Sequence, residues 1–439
     1  GSQPQAGMTH YSFSPAGQKL LVTAEEGGIA IAEKSGRAYR GSMELRQWNG
    51  KLAVINELPF EQYLESVVAA EMSFDWPAEA LKAQAVAART FALMKGTKYE
   101  IADVSDSAID QVYYGIGMEH PNVSAAVKAT AGEVLMHNGS LIEPYYFSNG
   151  GGQTGDPEEV WGQPIAYLKS VASPDETAQA GKLEWYEVVL PNEKIGYIRS
   201  DFTRDSGRKT AAGLPILIVT EDGVNVRALP YVDNANNPPI TQLNAGDELT
   251  VIGKTLESNA YRWIRGPFAA ETLLAKINET LKQPVAGPLY RLEVSKLGPS
   301  GRVAEIMANG KPIAAARSDD YRSMLGGIPS AKFEIEETGR YTVLGAGGQT
   351  REFPESGGAI YAIGSSGTAT QLTGEYRFML GSGGTVRAAT KEPQYRITGY
   401  GNGHGLGMSQ WGAKGLAEQG YDYKRILQYY YSGVTVGKE

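Results

Sequence analysis

Glu71 is the residue most able to do chemistry. Leu64, Val67, Val68 and Glu71 are spaced i, i+3, i+4 and i+7, so they share one face of a helix within FEQYLESVVAAEM. Three of the four are apolar and the last is a carboxylate, which is costly on a packing stripe unless it is paired or used. Asp75-Trp76-Pro77 must open a new helix, because proline is tolerated in a first turn and not in a helix interior. The first helix is therefore predicted to end near Met72, with Glu71 in its last turn. The partial negative charge of a helix C-terminus and desolvation by Met72, Phe74 and Trp76 would both raise the pKa of Glu71, as a general acid at neutral pH requires. An ion-paired or solvent-facing Glu71 fits the same spacing.

The second helix is expected from Pro77 to about Lys95 and is rich in alanine, which suits close packing. Gln84 falls on the side of Leu81, Ala88 and Phe91, so it reads as a buried amide in need of partners. Arg89 could neutralise a core carboxylate, or orient a substrate or the acid. Two glycine-rich stretches come next in interest. In SNGGGQTGDPEEVWG, Ser148, Asn149 and Thr154 offer hydrogen-bonding groups beside Gly150, Gly151 and Gly152, where backbone can approach a ligand closely; an ordinary turn gives the same composition. In GNGHGLGMSQWG, glycines alternate around His404, and Ser409 can cap a helix starting at Gln410.

The elements that must hold these residues are mixed. Short strands are expected from Tyr11 to Ile55, with Asn49-Gly50 as a hairpin turn, and again around Asn138-Gly139. Helices are expected over Asn122–Gly132, Ala269–Lys282 and Tyr423–Tyr431. Residues 1–9 read as unstructured, and 96–121 as irregular with Tyr113 and Tyr114 as packing aromatics. At 439 residues the chain exceeds one ordinary core. A net charge of −8 argues against a nucleic-acid or anionic-membrane partner. The absence of cysteine excludes disulfides, thiol catalysis and thiolate metal sites. His120 and His137 are too isolated to argue a metal site, and no metal or other cofactor is expected. No apolar run is long enough to span a bilayer. Gly1-Ser2 reads as a cloning scar, so the expectation is that a native leader or anchor has been removed.

LPFEQYLESVVAAEM, WPAEALKAQAVAARTFAL and, near the C-terminus, GYGNGHGLGMSQWGAKGLAEQGYDYKRILQYYYSG together resemble the SpoIID/LytB family, named for stage II sporulation protein D and an amidase enhancer. The resemblance implies an α+β fold in which a core of antiparallel strands and a few packed helices is built from residues 1–183, 269–335 and 396–439. Residues 184–268 interrupt it and resemble a bacterial Src-homology-three-like barrel; 336–395, rich in glycine and threonine, read as a second insertion. The resemblance further implies export to the cell wall and lytic cleavage of peptidoglycan glycan strands, especially peptide-stripped ones. Glu71 would protonate the glycosidic oxygen between N-acetylmuramic acid and N-acetylglucosamine, then take the proton of the muramic 6-hydroxyl to close a 1,6-anhydro ring. Gln84, Arg89, Ser148, Asn149, Gly151, Thr154, His404, Ser409 and Gln410 are the expected substrate-positioning residues. Some family members bind a metal near the serine–glycine loop through Cys and His; Phe147 stands here in a segment without cysteine, so no metal is expected. The alternative is a non-catalytic wall protein that binds glycan and enhances a partner amidase. A hydrolase with two carboxylates is a third reading, for which Asp75 and Glu79 are the nearest second acids but serve equally as helix-start residues.

Overall fold

The computed structural model describes residues 19–438 except 25–26, 193, 314, 316, 345–347, 354–360, 364–366, 372, 375 and 381–385. The expectations for residues 1–9 and for Tyr11 to residue 18 lie outside the described residues. The chain is α+β, with many antiparallel sheets, and divides into two compact units: residues 1–146 with 412–439, and residues 147–411. No helix among the described residues is long and apolar enough to cross a membrane.

The first unit begins with strands. Lys19–Thr23, Ser42–Trp48 and Lys51–Glu57 form an antiparallel sheet, and Trp48 pairs with Lys51 across the expected Asn49-Gly50 turn. Asn49 and Gly50 both take positive φ, at 47° and 74°, as a turn matched to the strand twist requires. Helix α1 then spans Phe60–Glu71 and α2 spans Ala78–Lys95. Leu64, Val67 and Val68 are fully buried, and the Met72 N–H closes α1 on the Val68 carbonyl, so Glu71 is its last residue. Helix α3, Pro121–Ala129, packs on both α1 and α2. The hairpin Glu133–His137 and Ser140–Leu141 is extended by Thr435–Lys438, and the helix Tyr423–Tyr430 covers α2 with Ile426, Leu427 and Tyr430 buried.

Alanine makes this packing possible. Ala80, Ala83, Ala85, Ala87 and Ala88 are buried on several sides of α2, so neighbours approach it all round. Arg89, 1% exposed, ties the arrangement together. Its Nε and Nη2 donate to the two carboxylate oxygens of Glu61 on α1 at 2.9 and 2.8 Å, and it also reaches the carbonyls of Glu133 and Val127. Of the two roles open to Arg89, the structure displays the neutralising one.

The second unit carries two apolar cores. In the first, the helix Ala270–Thr280 lays Leu273 and Ile277 against Trp263, Leu292, Ile306 and Ile397. Trp263, expected within the inserted barrel, lies on the strand Arg262–Ala269, which pairs with Gln394–Tyr400 instead. Its side chain fits there because residue 399 is glycine, and its indole donates to the Gly401 carbonyl at 2.8 Å. The second core, around Val188, Ile198, Val226 and Leu249, belongs to a seven-stranded antiparallel sheet formed between Glu184 and Leu256. Its end strands, Thr203–Lys209 and Pro239–Leu243, are not paired with each other among the described residues. The insert is strand-built as expected, but its sheet is open where a barrel was expected. Pairing along its order leaves two free edges, which alternation of strand residues cannot reveal. Residues 336–395 contribute three two-stranded hairpins among the described residues.

Replacing Arg89 by Met leaves Glu61 and two carbonyls without their donor inside the unit. The expected cost is about 2–4 kcal/mol, read as a lower urea midpoint of the helical circular-dichroism signal.

Candidate functional site

In the first unit the site grows from the end of α1. Glu71 is half-buried at the helix terminus. Tyr63, two turns earlier, donates its hydroxyl to Gln111 Oε1 at 3.0 Å. Gln111 Nε2 donates to the Ala88 carbonyl at 3.1 Å and to the Tyr146 hydroxyl at 3.0 Å. The Ala88 carbonyl can only accept, which fixes the orientation of the amide. The Tyr146 oxygen is therefore an acceptor toward Gln111, and its own proton is directed elsewhere. Burial pushes both phenols up from their ordinary range, and the Glu71 charge adds to that at each. Glu71 is thus in electrostatic reach of two phenols that stay protonated.

The neighbouring acids are engaged. Glu61 pairs with Arg89, Glu65 accepts from Ser124 Oγ, Glu119 pairs with Arg40, and Glu79 holds Lys82 and the Tyr423 N–H. Asp75 is exposed. Of the residues expected to desolvate Glu71, Met72 is buried and Trp76 half-buried. Phe74 is 50% exposed and stacks on His120 with ring centroids 4.0 Å apart. Gln84 is fully buried, and neither atom of its amide has a hydrogen-bond partner among the described residues. A buried amide left in this state costs about 1–3 kcal/mol.

In the second unit, the serine–glycine loop and the His404 block meet. The backbones of Asn149 and Asn402 exchange two hydrogen bonds, at 3.0 and 2.8 Å, and the Gly155 N–H donates to the Gly405 carbonyl at 2.7 Å. Gly151 sits at φ +64° with Tyr400 backbone 2.8 Å from where a Cβ would stand, so this crossing admits no side chain. Gly405, at φ +90°, leaves room for the Arg302 guanidinium. Arg302 is 2% exposed; burial lowers its pKa to about 10, opposed by Glu159, Asp175 and Asp319.

The junction is pinned by Asp175. Its carboxylate accepts from Ser173 Oγ at 2.9 Å, from the Gly152 N–H at 3.0 Å and from Ser409 Oγ. Burial raises its pKa, and these bonds oppose the shift. Little in the local sequence marks Asp175: it sits in SPDETAQ, where Ser173 is its one near partner, and the partners that make it a junction lie 23 and 234 residues away. Asn149 donates to the Asp175 carbonyl and accepts from the Gly151 N–H, and Thr154 Oγ1 accepts from the Val171 N–H. Ser148 is half-buried, and its carbonyl accepts from the Trp411 N–H. The helix expected at Gln410 begins there, and Gln410 is 5% exposed. His404 is half-buried between Phe147 and Trp161, each ring 5.4 Å away, and its Nδ1 accepts from the Leu406 N–H. In the neutral imidazole this leaves the proton on Nε2.

A family profile described as Stage II sporulation protein, SpoIID, matches residues 48–137, which hold α1, α2, α3 and Glu71. Over those residues the chain is similar to the SpoIID family. An amidase enhancer of Bacillus subtilis is 28% identical over 85% of this chain, which covers 40% of that protein. The stage II sporulation protein D of Bacillus subtilis is 36% identical over 137 residues, 27% of this chain and 40% of that protein. An uncharacterised protein of Brachyspira hyodysenteriae is 26% identical over 92% of this chain, which spans 73% of its length.

Asp175→Asn removes one acceptor oxygen from the junction and is expected to cost about 1–3 kcal/mol. Because the native pKa of Asp175 is raised, the folded unit binds its proton more tightly than the unfolded chain. The stability from this group is full below the ordinary carboxylate range and is lost as pH rises through the native pKa. The deficit of the variant should therefore be larger at acid than at neutral pH in urea unfolding of both proteins.

Proposed function

We propose that the protein is a lytic transglycosylase of the cell wall that cleaves peptidoglycan glycan strands, with Glu71 as general acid and then base. The supporting observation is the setting of Glu71. It ends a helix whose last carbonyls oppose its ionisation, two protonated phenols lie in its field, and the carboxylates around it are engaged or solvated. Protonated Glu71 delivers its proton to the bridging oxygen as the muramic C1–O bond breaks. The muramic 6-hydroxyl attacks C1 and returns its proton to Glu71, so no water is consumed. Tyr146 and Tyr63, joined through Gln111, form a hydrogen-bonded pair of phenols in the field of the Glu71 carboxyl.

His404 Nε2–H, flanked by Phe147 and Trp161, is assigned to a sugar hydroxyl, with Ser148 and Gln410 as further contacts. Asn149, Gly151, Thr154 and Ser409 act by shaping the two loops, because their hydrogen bonds and backbone lie within the junction. Arg89 acts by fixing α1 and α2. Gln84 is assigned to the substrate or to a group that enters with it. The protein is assigned to the wall, outside the cell, acting on peptide-stripped strands.

Incubation with peptide-free glycan followed by mass spectrometry should yield 1,6-anhydro-muramic ends. Glu71→Gln should abolish them while glycan binding persists; retained turnover would remove Glu71 from this role. The relative named amidase enhancer favours the second reading, in which the chain binds wall glycan and stimulates a partner amidase. It predicts no anhydro ends and faster amidase release of stem peptides. Gln84→Met should raise the melting temperature, since it removes a buried amide without partners, and lower cleavage. Unchanged cleavage by a stabilised variant would make Gln84 a packing residue only.

A further inference from the structure

The two phenols in the field of Glu71 are not equivalent. Gln111 joins them, and its amide is held on three sides. The residue before it, Asp110, accepts from Lys98 Nζ at 2.6 Å, from the Tyr99 hydroxyl at 2.8 Å and from the Ser105 N–H at 2.9 Å, which fixes the loop that carries Gln111. Gln111 itself is 1% exposed. With Nε2 donating to the Ala88 carbonyl, Oε1 can only accept, so the proton between Tyr63 and Gln111 belongs to Tyr63. Nε2 directs its second proton to the Tyr146 oxygen. Tyr63 has thus used its donor on the amide, whereas Tyr146 keeps its donor for an acceptor other than Gln111.

The Tyr146 ring is placed as well. Phe91, three residues on from Ala88 in α2, meets it edge-on, with centroids 6.4 Å apart and planes at 63°. Ring and oxygen are both anchored to α2, and the hydroxyl proton turns away from Nε2. Among the charges acting on Tyr146 that of Glu71 is the largest, whereas at Tyr63 those of Asp110 and Tyr113 come first. The nearby acids Glu61, Glu65 and Glu79 are engaged by other donors. When Glu71 gives its proton to the glycosidic oxygen, charge develops on its carboxylate. A donor already aimed at that charge stabilises the transition state more than the ground state.

We propose that Tyr146 is a positioning residue that donates a hydrogen bond to the Glu71 carboxylate as this ionises, and that Gln111 reserves the Tyr146 proton for this role by taking its own donor from Tyr63. No proton is transferred from the phenol, which stays protonated throughout. The proposal rests on the reading of Glu71 as the general acid.

Tyr63→Phe and Tyr146→Phe each keep the ring and remove one bond to Gln111, so both should lower the urea midpoint by similar amounts. They should part in catalysis, followed as 1,6-anhydro ends released from peptide-free glycan. Tyr146→Phe should lower kcat at least about tenfold with KM unchanged, the size of one lost hydrogen bond to a charged group. Tyr63→Phe should lower it by about threefold at most. Gln111→Met, which lets the Tyr146 hydroxyl rotate, should also lower kcat, and Tyr146→Phe added to it should lower kcat by less than it does alone. Equal kcat losses in the two Phe variants, a loss confined to KM, or additive losses with Gln111→Met would each overturn the proposal. If the unchanged protein gives no anhydro ends, the reaction and this assignment fall together. If Glu71→Gln abolishes them while Tyr146→Phe keeps the rate, this assignment falls alone.

Discussion

One guanidinium holds the helical unit together. Arg89 leaves α2, grips both oxygens of Glu61 on α1, and also satisfies carbonyls at the end of α3 and at the start of the Glu133–His137 strand. Four elements therefore share one donor set, and the fork geometry of arginine is what lets a single side chain do this. A lysine would offer one point charge and could not span the same acceptors. With α1 and α2 locked, the chain must turn between Met72 and Pro77, and Glu71 is left as the last residue of α1.

The second unit solves a different problem. Two glycine-rich loops cross at backbone distance, which needs bare Cα positions, but bare backbone has little to hold it in place. Buried charge supplies the order. Asp175 collects donors from the first loop and from Ser409, and Arg302 fills the space beneath Gly405. Such groups are costly to bury and worse to leave half-satisfied, so a junction built on them has few alternatives of similar energy. That lack of alternatives keeps the His404 ring between Phe147 and Trp161.

Local signals in the sequence were accurate where the cause was local. The apolar stripe and Pro77 placed the end of α1 and the start of α2, Asn49-Gly50 and Asn138-Gly139 marked hairpins that form, and Tyr423–Tyr430 buries the residues its spacing picked. Signals failed where pairing was distant. Trp263 carried strand character but not its partner, which lies 131 or more residues ahead in Gln394–Tyr400. Asp175, Gln111 and Tyr146 carry little local signal, because the partners that define their roles lie tens to hundreds of residues away.

By itself the sequence determined that a carboxylate ends a helix at a proline-enforced break, that glycine-rich loops flank hydrogen-bonding residues, and that thiol chemistry is absent. Those are consequences of spacing and residue type, which act over a few residues. Tertiary structure alone decided which polar groups are used up inside the fold: Arg89 on Glu61, Asn149 and Ser409 at Asp175, and Gln84 buried without a partner among the described residues. The reason is that a side chain's hydrogen-bonding and charge are settled by whatever the folded chain brings within about 3 Å of it, and no window of neighbouring residues contains that information.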